Sequence, residues 1–237
     1  MPIFRWLFHS DAGLSFRILC GGVIFAALAI ADFRRRRNAA TKWREYSLLL
    51  AAVLVALAYG AINDQITVTI SPEYFLYGKE LAAVVGDPPR SQAALRWAAA
   101  KVGFKATWSV GLIFGVVLLL ANNPWRGLPR LRNRRLLRLL LIIPLTAAVL
   151  GAIGGLLGYR GVMTNWQSDF QDIASANLWR PRRFMAAWGV HLGGYVGGSL
   201  GTTVAVVLLM LERCRHRRSG GDCGRTASAA EVNSCSS

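Results

Sequence analysis

The chain alternates long apolar blocks with short polar connections. Five blocks stand out: Leu14 to Ala31, Ser47 to Ile62, Phe104 to Ala121, Leu136 to Leu157 and Met185 to Leu211. A helix needs about 20 apolar residues to cross roughly 30 Å of hydrocarbon, and each block approaches or exceeds that length. Trp43 and Tyr46 lead into the second block and suit the membrane interface. Lys105 lies close enough to the start of the third to snorkel, and the fourth contains Pro144. Arg17 intrudes on the first block and the fifth is the longest, so the fifth should tilt or emerge at one end. The pattern predicts an all-α integral membrane protein. It is a bundle of about five transmembrane helices, or four if the first block is not a span.

Charge orients these spans. Lys and Arg number 28 against 12 Asp and Glu, a formal net charge of +16, while hydrophobic residues make up 54% and charged residues only 17%. So little charge would leave a soluble surface uncovered, so the basic excess is read as topology and contact with anionic lipid headgroups, not as nucleic-acid binding. The connection after the first block carries Arg34, Arg35, Arg36, Arg37, Lys42 and Arg44. That between the third and fourth carries Arg126, Arg130, Arg132, Arg134, Arg135 and Arg138, and the last block ends in Arg213, Arg215, Arg217 and Arg218. All three belong on the cytoplasmic side. The connections holding Asp64, Glu73, Glu80 and Asp87, and Asp169 and Asp172, belong outside. Five spans with the N-terminus out and the C-terminus in satisfy every connection. A cleaved signal peptide ending at Ala29 or Ala31 is the rival for the first block, but cleavage would put Arg34 to Arg37 on the far side.

Residues 1–13 form a short N-terminal tail, 14–211 the transmembrane bundle, and 212–237 a basic and then disordered tail of Ser, Gly, Ala and Asn. Cys20 lies in the first block and Cys214, Cys223 and Cys235 in the tail, which is no disulfide framework. Glycines repeat at four residues: Gly111 and Gly115, Gly151 and Gly155, Gly154 and Gly158, and Gly189, Gly193, Gly197 and Gly201. Small residues at this spacing let helix backbones approach closely in lipid. The stripes are read as packing the third, fourth and fifth spans into a compact bundle, with a homo-oligomer face as the alternative.

The polar residues concentrate in two places. At about 100° per residue, Trp188, His191, Tyr195, Ser199 and Thr202 share one face of the fifth span, and an ionisable His191 at that depth is a functional candidate. The other place is Tyr59 to Lys79, which alternates Ile66, Val68 and Ile70 with Thr67, Thr69 and Ser71 before Pro72. That period predicts a short extracytoplasmic strand-like segment. Its return would gather Asp64, Gln65, Thr67, Glu73 and Tyr74 near His191 and Tyr195, with Glu73 approaching the imidazole.

The segments Tyr59-Gly60, Asp64-Gln65-Ile66-Thr67 and Glu73-Tyr74-Phe75 resemble a family of uncharacterised bacterial multi-span membrane proteins, in which similar segments read Y-G-x-x-H-D-Q-V-T and E-Y-F-T-x-x-H. The likeness continues through Thr107-Trp108, Gly111 and Gly115, and His191, Tyr195 and Gly198, covering Tyr59 to Leu211. It implies a shared architecture, a bacterial cytoplasmic membrane and a shared polar site, but no reaction. The family's two histidines are Asn63 and Lys79 here, so if they ligate a metal, half of that set is gone.

H-E-x-x-H and a Gly-rich phosphate loop are both absent from the sequence. The favoured expectation is therefore a non-enzymatic accessory or small-transport component with an extracytoplasmic polar site made of Asp64, Gln65, Thr67, Glu73, Tyr74, His191 and Tyr195. No cofactor is called. The alternative is an intramembrane enzyme that uses the same Asp, Glu and His residues with a divalent metal, and a plain hydrogen-bonded structural corner is the third reading of the carboxylates. The topology is directly testable: a reporter active only outside the cytoplasm should be active when fused near Gly86 and silent near Arg130, and the reverse pattern would sink the charge assignment.

Overall fold

The computed structural model describes residues 11–36, 42–123, 128–163 and 180–234, and every regular element among them is helical. Helix α1 covers Asp11–Arg36 and α2 covers Lys42–Ile70. A π-helical turn, Tyr74–Gly78, and the short α3, Ala82–Val85, lead to α4, Gln92–Ala121. Then come α5, Asn133–Leu140, α6, Ile142–Tyr159, and α7, Pro181–Ser234. Four helical segments are long and apolar enough to cross a membrane: α2, α4, the α5–α6 unit Asn133–Tyr159, and Pro181–Arg217 of α7. Their outer faces carry exposed Leu50, Ile113, Leu145, Ile153, Val207 and Leu211, apolar surface that suits lipid and would be costly in water. The first apolar block lies in α1, which meets the rest through α2, with the Phe25 and Tyr46 rings 5.7 Å apart.

Helix boundaries follow local chemistry. Ser91, extended at φ −159°, accepts a hydrogen bond from the Ala94 amide at 3.1 Å and caps α4. The fourth apolar block divides at Leu141, three residues before Pro144, whose missing N–H leaves the Leu140 carbonyl without its helical donor. Gly86, at φ +92°, takes the left-handed turn that ends α3.

Two expectations are corrected. The strand-like segment 66–70 is the last part of α2. Its alternation misleads because the Thr67 and Thr69 hydroxyls donate back to the Asn63 and Gln65 carbonyls at 2.9 and 2.8 Å, so the helix itself serves the polar positions. Val68 is buried and Ile66 exposed, so the apolar residues divide between two faces. Helix α7 runs on past its span to Ser234. The third span, finally, packs far more closely with the second than with the fourth and fifth. Residues 1–10, Arg37, Arg126, Asp169, Asp172 and Cys235, which entered the expectations above, lie outside the described residues.

The bundle is two intimate helix pairs. In the first, α2 lies against α4: a Cβ added at Gly60 would sit 2.6 Å from Thr107 Oγ1, at Gly103 2.6 Å from the Gly60 carbonyl oxygen, and at Gly111 2.6 Å from Ala56 Cβ. In the second, α6 lies against α7. There the absent Cβ atoms of Gly154 and Gly189 would each strike the other's backbone, and those of Gly158 and Gly193 would strike Met185 and Leu150. Contact between the pairs is sparse by comparison.

Two apolar clusters join the pairs at their ends. One gathers Val68, Tyr74, Phe75, Leu95, Ala99, Phe184 and Met185 around the π-helical turn. The other gathers Leu48, Leu118, Leu136, Leu139, Ile143 and Leu209 at the opposite end. Just beyond the second cluster, Arg213 is 1% exposed, and its guanidinium donates to the carbonyls of Ala121, Asn123, Leu128 and Pro129. Those carbonyls belong to the end of α4 and the connection after it, groups that a helix terminus leaves unserved. Asn122 works beside it, accepting from the Leu131 amide at 2.9 Å and donating to the Leu131 carbonyl at 3.1 Å.

The close approach in the second pair makes a direct prediction. Gly154→Ala should lower stability by roughly 1–3 kcal/mol through overpacking. Gly21→Ala, where nothing lies within 4 Å of the added carbon, should leave it unchanged. Thermal unfolding of the two variants in one detergent reads the difference, and equal midpoints would contradict the packing.

Candidate functional site

Between the two apolar clusters, where the helix pairs diverge, lies a cavity of about 320 Å³. Its walls come from all four spanning units. Val55 and Ala56 of α2, Val102 and Phe114 of α4, Ile143 and Pro144 near the start of α6, and Gly194 and Gly198 of α7 make most of it apolar. One end is polar, formed by Tyr59, Asn63, Asp64, Lys79, His191 and Tyr195.

Asp64 and His191 face each other across the pairs, with Asp64 Oδ1 3.7 Å from His191 Nε2 and side chains only 4% and 12% exposed. Asp64 lies six residues before the end of α2, about 9 Å along its axis, and His191 enters from α7. Both are therefore within spans, where an ionisable side chain is expensive and turns inward. The π-helical turn closes the site from above. The Tyr74 ring stacks on the His191 imidazole at 4.9 Å and 21°, Phe75 meets it edge-on at 6.2 Å, and Lys79 Nζ sits 5.5 Å from the centre of the Tyr74 ring. The Tyr74 amide donates to Ser71 Oγ at 3.2 Å, and Leu81 returns its amide to the Phe75 carbonyl at 3.1 Å, so the turn is tied at both ends. Burial, reinforced by Tyr195 and Asp64, pushes the Tyr74 phenol above its ordinary range and keeps it neutral.

Two buried polar atoms on this cavity, Tyr59 Oη and His191 Nε2, have no hydrogen-bond partner. Buried groups of this kind are normally satisfied by protein or by water.

The residues expected to form one site separate here. Asp64, His191, Tyr74 and Tyr195 come together, while Gln65, Thr67 and Glu73 serve elsewhere. Gln65 Nε2 donates to the Arg96 carbonyl at 2.9 Å, and Arg96 returns to Gln65 Oε1 at 3.4 Å and Thr69 Oγ1 at 3.0 Å, a clasp between α2 and α4. Thr67 is wholly buried and back-bonded within α2. Glu73 accepts from the Arg180 amide at 3.3 Å at the start of α7, so Tyr74, not Glu73, takes the imidazole face. The difference arises because the expected return of the chain was a strand, whereas a continuing helix followed by a π-helical turn swings residue 74 inward and residue 73 out. Tyr59, Asn63 and Lys79 line the polar end without having been chosen from the sequence.

Among the described residues no group of three His, Cys, Asp or Glu comes together, and Asp64 and His191 are the pair that could offer ligand atoms to an ion. No family model, no curated protein and no solved structure matches this chain.

The geometry predicts which residues act as a unit. In a double-mutant cycle read by thermal unfolding, Asp64→Asn and His191→Phe should couple by about 0.5–3 kcal/mol. Glu73→Gln and His191→Phe should simply add. Coupling through Glu73 and none through Asp64 would reverse the assignment.

Proposed function

We propose that this chain is a polytopic membrane protein acting as a non-enzymatic accessory or small-transport component, and that its central cavity binds a small amphipathic solute. The observation that carries the reading is the pair of unpartnered buried atoms, Tyr59 Oη and His191 Nε2, on a cavity otherwise lined by apolar side chains. A solute with one hydrogen-bonding end would satisfy the tyrosine and the histidine, while its apolar body would lie against Val55, Val102, Phe114 and Ile143. Asp64 and Lys79 place both signs of charge at the polar end, which favours a neutral or zwitterionic head over a bare ion.

The position between two tight helix pairs supports a transport role, because rocking one rigid pair against the other would open the cavity without breaking the glycine contacts. In the topology proposed here α1 is a fifth span, the N-terminus is outside the cytoplasm, and the polar end of the cavity opens to the extracytoplasmic face. The bacterial cytoplasmic membrane is its proposed home, on the resemblance of Tyr59 to Lys79 to uncharacterised bacterial multi-span proteins.

Monooctanoylglycerol, a neutral amphiphile of suitable size, is the test ligand. Wild-type protein in phosphatidylcholine nanodiscs should bind it saturably at one equivalent. Val55→Phe, which fills the cavity, should abolish the binding, and His191→Phe, which removes the polar partner, should weaken it about tenfold. Unchanged binding in Val55→Phe would remove the cavity from the account.

A further inference from the structure

A second and larger cavity, of about 850 Å³, lies at the opposite end of the bundle, between the start of α2 and the connection from α4 to α5. Its chemistry differs from that of the central one. Arg44, Arg130, Arg132 and Arg134 line it together with Trp43, and Leu119, Leu131 and Leu137 supply apolar walls. Glu45 is its sole acid. That carboxylate is already shared by Lys42 at 3.6 Å and Arg130 at 3.4 Å. Arg132 and Arg134 are exposed and have no acidic partner among the described residues, whereas their neighbour Arg135 is paired with Glu212 at 2.7 Å. Arg44 lies over the Trp43 ring at 5.5 Å, which holds its guanidinium along the rim.

The backbone adds to the same field. Arg132 is the N-cap of α5, in extended conformation and without a side-chain cap, so the positive end of that helix opens at the cavity. Asn133, the first residue of α5, donates its side-chain amide to the Arg44 carbonyl and fixes the α5 terminus against α2. Arg44 and Arg134 are thus carried on two helices tied together, with Arg130 and Arg132 on the stretch that leads into α5.

We propose that this cavity binds a phosphate-bearing anion. A tetrahedral oxyanion suits a cavity lined by four arginines, whose guanidinium forks can donate in parallel pairs to its oxygens, and it also suits an open helix N-terminus. The apolar walls and Trp43 accommodate the carbon portion next to the phosphate, as in a phospholipid headgroup with its glycerol and upper acyl chain or in a soluble glycerol phosphate. The site is independent of the central cavity, with which it shares no lining residue.

Two probes distinguish the source of the phosphate. The full chain is placed in nanodiscs of phosphatidylcholine alone or phosphatidylcholine with phosphatidylglycerol, both faces being accessible. Native mass spectrometry then counts retained phosphatidylglycerol, and calorimetry in the phosphatidylcholine discs titrates glycerol 1-phosphate. Wild type should hold one equivalent of at least one probe. Retained phosphatidylglycerol identifies a lipid headgroup, and saturable glycerol 1-phosphate a soluble ligand.

The double variant Arg132→Gln with Arg134→Gln should weaken that binding about tenfold or more. The control Arg34→Gln with Arg35→Gln removes the same charge from exposed positions on α1 and should leave binding as in wild type. Unchanged unfolding midpoints in both variants would separate lost binding from lost fold. Absence of saturable binding of either probe, or an equal loss in the α1 control, would overturn the proposal.

Discussion

Everything in this bundle depends on how closely helix backbones approach one another where lipid offers no hydrophobic drive. Apolar side chains gain little by leaving hydrocarbon for a helix interface, so association rests on dispersion contacts, which require near contact over a long seam. Glycine permits it. Along the α6–α7 seam, Gly154, Gly158, Gly189 and Gly193 each face backbone at a distance that no side chain would allow, and Gly60, Gly103 and Gly111 do the same between α2 and α4. The chain thereby becomes two close pairs, and the looser seam between them is where a cavity survives.

The polar groups follow from that division. Asp64 rides on the first pair and His191 on the second, so their approach to 3.7 Å bridges the looser seam. The π-helical turn reinforces the bridge by laying Tyr74 on the imidazole and packing Phe75, fully buried, beneath it. At the far end, Arg213 performs a comparable task with a charge, gathering four carbonyls that would otherwise stand unserved beside the bilayer. One end of the seam is thus closed by aromatic stacking and the other by a guanidinium. The apolar space between them is left with Tyr59 Oη and His191 Nε2 unpaired.

The two cavities show how one chain separates opposite chemistries along a membrane normal. The central one is mostly apolar with a narrow polar end, and the basic one is a rim of arginines around Trp43. Asn122 and Leu131 line the basic cavity, and their paired hydrogen bonds tie residue 131 to the end of α4.

The sequence by itself determined that the chain is helical with four stretches long and apolar enough to cross a membrane, because block length and composition are properties of the local chain read against a slab of fixed thickness. It also marked His191, Asp64, Tyr74 and Tyr195 as candidates, since polar residues inside apolar blocks stand out without any structure. It could not decide the state of 66–70, where alternating Ile, Val and Thr fits a strand as well as a helix whose hydroxyls bond back to carbonyls. Nor could it assign partners. Glycine repeats show that a helix can approach another, not which one, so the pairing of α2 with α4 and of α6 with α7 was settled only by the packed seams. The same holds for Gln65 and Glu73, drawn to Arg96 and to the Arg180 amide, and for Lys79 and Tyr59, drawn to the cavity. Which face of a turn looks inward depends on elements distant in the chain, and that information exists only once the pairs have closed on each other.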